Sequence, residues 1–130
     1  MRYNHIGILL GICSVLFILL TWKKIHNPYL KCVWRSGLLV FALYVVILIA
    51  VEIRWHYITE YAKSFDLNGN GFVDLNEYSD EAVEAMNRVT QDTARNYAVI
   101  TVALFSGMIS FAYLLVDLII TRLRIKKSKN

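Results

Sequence analysis

Three uncharged apolar runs restrict the fold of this chain more than any other feature: Ile6 to Trp22, Ser36 to Val51, and Tyr97 to Thr121, the last broken only by Asp117. In each run apolar side chains cover every face of a helix, whereas a helix of a soluble bundle carries one apolar stripe. The runs are therefore predicted to be helices that cross a bilayer. The first two lie near the lower limit of about 17 residues for a span, so flanking residues are expected to complete the passage through the hydrocarbon. Hydrophobic residues form 57% of the 130 residues, above the roughly 45–50% of ordinary globular domains. Their segregation into blocks argues against a soluble bundle. Thr21, Trp22, Lys23 and Lys24 follow the first run with no small-residue cleavage site, which favours a retained anchor over a cleaved signal.

Charge then orients the chain. Lys23, Lys24, Lys31 and Arg35 lie between the first two runs, and Arg122, Arg124, Lys126, Lys127 and Lys129 follow the third. Every acid except Asp117 lies between Glu52 and Asp92. By the positive-inside rule the basic segments face the cytoplasm and the acidic segment faces outward, with the N-terminus out and the C-terminus in. Arg2 opposes this orientation. Tyr3, Trp55, Tyr57 and Tyr97 would form the outer interfacial belt, and Trp22, Tyr29 and Trp34 the inner one. The expected protein is integral to a plasma or inner membrane. Its basic clusters are juxtamembrane, suited to lipid headgroups and not to nucleic acid.

The resulting organisation has three parts. Residues 1–51 form a transmembrane hairpin, with spans at 6–22 and 36–51 joined by a basic loop at 23–35, where Asn27 and Pro28 favour a turn. Residues 52–96 form an extracytoplasmic segment, and residues 97–130 the third span (97–121) and a basic tail. The second helix is expected to continue to Phe65, keeping Trp55, Ile58, Ala62 and Phe65 on one side. Leu75, Tyr78, Ala82, Met86, Val89 and Thr93 draw a second stripe leading into the third run. Glu84 with Arg88, and Arg88 with Asp92, have the spacing of helix-face ion pairs.

Between these stripes, residues 66–77 read Asp-Leu-Asn-Gly-Asn-Gly-Phe-Val-Asp-Leu-Asn-Glu. Calcium takes six to eight oxygen ligands, and a short loop supplies them when alternate side chains converge around a sharp backbone turn. Asp66, Asn68 and Asn70 offer oxygens at positions one, three and five, and Gly71 at position six permits the turn. Phe72 offers its carbonyl, Asp74 a direct or water-mediated ligand, and Glu77 a bidentate carboxylate. Asp74 and Glu77 also have capping-box spacing, which predicts that the exit helix starts there.

Over roughly residues 53–88 the chain closely resembles the EF-hand calcium-binding superfamily. Phe65, Val73 and Tyr78 fall where that family carries apolar residues. The fold expected is all-α: three transmembrane helices with an extramembrane EF-hand helix-loop-helix between the second and third. The resemblance implies Ca2+ as the bound ion, at Asp66, Asn68, Asn70, Phe72, Asp74 and Glu77. EF-hands usually pair through the residue at position eight, so Val73 here would need a second copy of the chain, or the site would stand alone. With three acidic ligands, a weak site of about 10⁻⁴–10⁻³ M is expected.

Other features are secondary. Gly7 with Gly11, Ala103 with Gly107, and Ser106 with Ser110 have the small-residue spacing that lets membrane helices approach closely. Asp117 is expected to snorkel or to pair with Lys23, Lys24 or Arg122. Glu52 and His56 are spaced as a helix-face pair. Cys13 and Cys32 are expected to be free thiols, the second open to juxtamembrane acylation in a eukaryotic host. His5, His26 and His56 are scattered, and no nucleophile has a base within reach, so no enzyme is expected. The leading reading is a calcium-binding membrane protein whose ion orders an outward hairpin for a protein partner or a homodimer. The alternative is a small bacterial membrane immunity protein or accessory subunit with the loop as a structural clip.

Overall fold

The computed structural model of the chain describes residues 3–71 and 73–128, apart from the side chain of Ala94. Arg2, Phe72 and Lys129 lie outside the described residues. The described residues are helical throughout their regular elements: α1 (Tyr3–Thr21), α2 (Pro28–Lys63), α3 (Asp80–Thr90), α4 (Thr93–Asn96) and α5 (Ala98–Lys127), with 3-10 turns at Trp22–Lys24 and Leu75–Glu77. Three helices, α1 with its 3-10 extension, α2 and α5, are long and apolar enough to cross a membrane. The chain divides into two compact units, Met1–Leu48 with Val99–Asn130, and Ile49–Ala98.

In the first unit α2 runs antiparallel to both α1 and α5. Against α1 the contact is made by missing side chains. A Cβ on Gly7 would lie 2.7 Å from Tyr44 Oη and 3.1 Å from Leu48 Cδ1, and one on Gly11 would overlap Val45 Cγ2. Towards the other end of α1, Ile18 packs over Gly37, and Trp34 Nε1 donates to Thr21 Oγ1 at 3.0 Å. Against α5 the contact is polar. Ser36 Oγ lies 2.9 Å from Ser110 Oγ and donates to the Ser110 carbonyl at 3.0 Å, while Ser110 Oγ returns a bond to the Ser36 carbonyl. Hydroxyls that satisfy one another across two helices allow close approach with no stranded polar atom, which hydrocarbon would penalise heavily. Of the small-residue pairs in α5, Ser106 and Ser110 are buried, whereas Ala103 is exposed and Gly107 has nothing near its missing Cβ.

Several expectations are corrected here. Of the basic loop expected at 23–35, only residues 25–27 lie outside helical structure, because Pro28 opens a helix instead of a turn. Asn27 Oδ1 accepts the Tyr29 N–H at 2.9 Å and proline occupies the first helical position, the arrangement favoured at helix starts. Lys31 and Arg35 therefore ride on α2. As a result Asp117 pairs with Arg35, at 3.2 and 3.4 Å, and not with Lys23, Lys24 or Arg122. Cys32 is buried at 1% exposure, with its thiol beside Thr121 Oγ1 (3.2 Å) and the Pro28 carbonyl (3.4 Å), which closes it to acylation.

In the second unit the stripe from Leu75 to Thr93 does not run unbroken into the third span. The helix stops at Gln91, whose N–H closes on the Asn87 carbonyl at 2.9 Å, and Asp92 departs from helical backbone before α4 begins. The break places Arg95 Nε 3.5 Å from Glu52 Oε1 and its guanidinium 4.1 Å over the Trp55 ring. Glu52 thus takes Arg95 as its ionic partner, a pairing not visible in the spacing to His56. An arginine that stands over an indole while meeting a carboxylate is stabilised both by the face of the ring and by the opposite charge.

Candidate metal centre

The loop begins where α2 ends. Asp66 N–H bonds to the Lys63 carbonyl at 3.0 Å, and the next five residues wrap around the Asp66 carboxylate. Its Oδ1 accepts the Gly69 N–H and its Oδ2 the Gly71 N–H, each at 2.8 Å. That wrap is possible because Gly69 and Gly71 take positive φ, 70° and 91°, where a side chain would collide with its own backbone.

Glu77 closes the loop from the other end. Its Oε1 accepts the N–H groups of Leu67 and Asn68, and its Oε2 that of Asp74, all at 3.0 Å. The bond to Asp74 completes the capping box expected from the spacing. The middle positions are joined through amides. Asn68 Nδ2 and Asn70 Nδ2 both donate to Asp74 Oδ2, at 2.9 and 2.8 Å, and Asn68 Oδ1 accepts the Asn70 N–H at 2.9 Å. Asp66, Asn68, Asn70, Asp74 and Glu77 are thereby brought into one hydrogen-bonded loop. Phe72 lies outside the described residues.

The three carboxylates are not gathered at one point. Among the described residues no group of three His, Cys, Asp or Glu side chains is close enough to hold a metal ion. Like charges lower their repulsion by separating, and here each finds its own donors: backbone N–H groups for Asp66 and Glu77, two side-chain amides for Asp74. The exit from the loop also departs from the expected continuous helix. Leu75–Glu77 forms one 3-10 turn, Tyr78 and Ser79 are extended, and Ser79 caps α3 anew by accepting the Ala82 N–H at 3.1 Å.

The loop carries apolar side chains out into solvent. Leu67 is 81% and Leu75 82% exposed, and Tyr78 about half, while Val73 is half-buried. Leu75 and Tyr78 head the apolar stripe expected from the spacing, yet both stand exposed; Leu67 has no helical spacing to mark it, and a lone leucine in a loop is unremarkable. Their shared position on one short loop is what the structure adds. No family model, no curated protein and no solved structure matches this chain.

Proposed function

We propose that residues 66–77 bind a calcium ion, and that the ion orders the helix-loop-helix of residues 52–96 as a docking element for a protein partner or a second copy of the chain. The observation that carries this reading is the closed loop itself: five side chains rich in oxygen, tied end to end by Glu77, on a backbone turned by two glycines at positive φ. The donor set is all hard oxygen, which suits calcium and is poor for zinc or copper. Asn68 and Asn70 already meet Asp74 through their amides; turning each amide by half a rotation puts its oxygen where its nitrogen now stands. A bound ion supplies positive charge that lets the carboxylates of Asp66, Asp74 and Glu77 share one centre. Leu67, Leu75 and Tyr78, exposed beside the ligand positions, give such an element an apolar surface to offer a partner. The acidic segment lies outward and the basic ends of α1, α2 and α5 face the cytoplasm in this reading.

The test is a calcium titration of the full chain in detergent, followed by thermal unfolding and by light scattering for oligomeric state. Millimolar calcium should raise the melting temperature of the wild type and leave the Glu77→Gln variant unmoved. An equal calcium shift in that variant overturns the site. A wild type stabilised by calcium with unchanged mass and unchanged partner capture reduces the ion to a structural clip.

A further inference from the structure

Asn68 and Asn70 are each followed by glycine, and all four residues lie exposed on the loop, outside any helix. An asparagine so placed has a reaction open to it that needs water as its sole co-reactant. The backbone nitrogen of the next residue attacks Cγ of the asparagine amide. As the N–Cγ bond forms that nitrogen gives up its proton, and as the Cγ–Nδ2 bond breaks the amide nitrogen takes up a proton and leaves as ammonia. The product is a succinimide ring. Water then opens the ring at one carbonyl or the other, giving an aspartyl residue, or an isoaspartyl residue whose main chain runs through the side-chain carbon. Nothing is oxidised or reduced.

Two conditions govern the step. The following residue must leave the attacking nitrogen uncrowded, and that nitrogen must not be tied into a helical ladder. Both are met here. Gly69 and Gly71 have no Cβ, and among the described residues nothing beyond their chain neighbours stands within 4 Å of where one would be. Their N–H groups donate to Asp66, to Oδ1 and Oδ2 respectively, each at 2.8 Å. A carboxylate there is placed to receive the proton that the nitrogen sheds. At Asn68 the Asn70 N–H donates to Oδ1 at 2.9 Å, the oxygen on which negative charge gathers when Cγ becomes tetrahedral. Among the described residues the other asparagines fail one condition or both. Asn4, Asn76, Asn87 and Asn96 lie in helical structure and precede residues with side chains, and Asn27 precedes Pro28, whose nitrogen has no proton to lose.

We propose that Asn68 and Asn70 are sites of self-modification, converted through a succinimide to aspartyl and isoaspartyl residues. Both side-chain amides donate to Asp74 Oδ2, at 2.9 and 2.8 Å, so each conversion sets a like charge where a hydrogen bond stood. Asp66, Asp74 and Glu77 would gain two further acids within one loop. If that loop holds calcium, the aspartyl form carries more ligand charge and binds more tightly, whereas the isoaspartyl form lengthens the backbone between ligands. The modification itself stands apart from that reading.

The experiment keeps the full chain in detergent and mildly alkaline buffer with calcium chelator, so that ion binding plays no part. Each asparagine is followed by peptide mass spectrometry, and isoaspartyl residues are detected with a carboxyl methyltransferase specific for them. Asn68 and Asn70 should lose their amides about tenfold faster than Asn76, Asn87 and Asn96, equivalent to about 1.4 kcal/mol of barrier. Both aspartyl and isoaspartyl products should form. Gly69→Ala should slow the loss at Asn68, and Gly71→Ala that at Asn70, because a side chain crowds the attacking nitrogen whether or not the loop keeps its fold. Asn68→Gln with Asn70→Gln, which keeps both amides on side chains too long for the same ring, should end isoaspartyl formation in the loop. Loss at 68 and 70 no faster than at Asn76, an aspartyl product without isoaspartyl, or conversion undiminished by the glycine substitutions overturns the proposal.

Discussion

Gly11 and Gly107 show how little a residue type says without its neighbours. Both are glycines in apolar helices, and both belong to small-residue pairs. Gly11 faces Val45 and Tyr44 with no room for a Cβ, whereas Gly107 has open space. Opposite signs are expected on substitution. Gly11→Leu should lower stability by about 1–3 kcal/mol through overpacking against a stiff β-branched side chain. Gly107→Ala should be neutral or should stabilise by up to about 1 kcal/mol through helix propensity. Unfolding of the two variants in a denaturing detergent series measures both. Asp117 makes the same point for charge. Its identity as a functional or structural acid was legible, but its partner was not, since Arg35 becomes available only when the helix start moves back to Pro28. Asp117→Asn should cost about 1–2 kcal/mol, less than a fully buried pair because the Arg35 side chain is 43% exposed. Asp117→Asn combined with Arg35→Gln should lose less than the sum of the two singles, as a double-mutant cycle would read out.

At the scale of elements, the ends of helices were harder to read than their middles. The middle of each apolar run is fixed by composition over many residues, while an end depends on one or two caps. Asn-Pro at 27–28 has the composition of a turn, yet the asparagine caps and the proline starts α2. Asn27→Ala should destabilise the first turn of α2 by about 1 kcal/mol, measured as faster amide exchange at residues 29–31. The capping box at Asp74 and Glu77 was legible and forms, but it yields only a 3-10 turn, because Ser79 supplies a competing cap for α3. The ligand pattern of 66–77 was likewise legible as residue types. How the side chains face one another was not, since the carboxylates of Asp66, Asp74 and Glu77 repel and take whichever N–H donors lie nearest. Gly71→Ala should cost about 1–2 kcal/mol through its left-handed backbone and should weaken calcium uptake in the same titration that tests Glu77→Gln.

For the whole molecule, the sequence determined that the chain is all-helical with three helices long and apolar enough to cross a membrane. That much follows from blocks of apolar residues with no polar face, because a hydrocarbon solvent accepts a backbone only when it bonds to itself. The sequence also placed the acidic segment between the second and third helices and the ligand pattern within it. Removing calcium should therefore alter only the 49–98 unit: amide exchange in chelator should rise between residues 64 and 90 and stay unchanged across the Ser36–Ser110 contact. Equal loss of protection in both would contradict an independent ion-ordered element. Tertiary structure decided which residues meet. It chose Arg35 for Asp117, Arg95 for Glu52 and Arg54 for Asp92, buried Cys32, and selected Gly7, Gly11 and Ser110 over Gly107 as contact points. Periodicity fixes the face of a helix on which a residue lies, but a contact requires a second helix at a particular register, and a slip of one residue in that register replaces each facing side chain by one about 100° away around the helix.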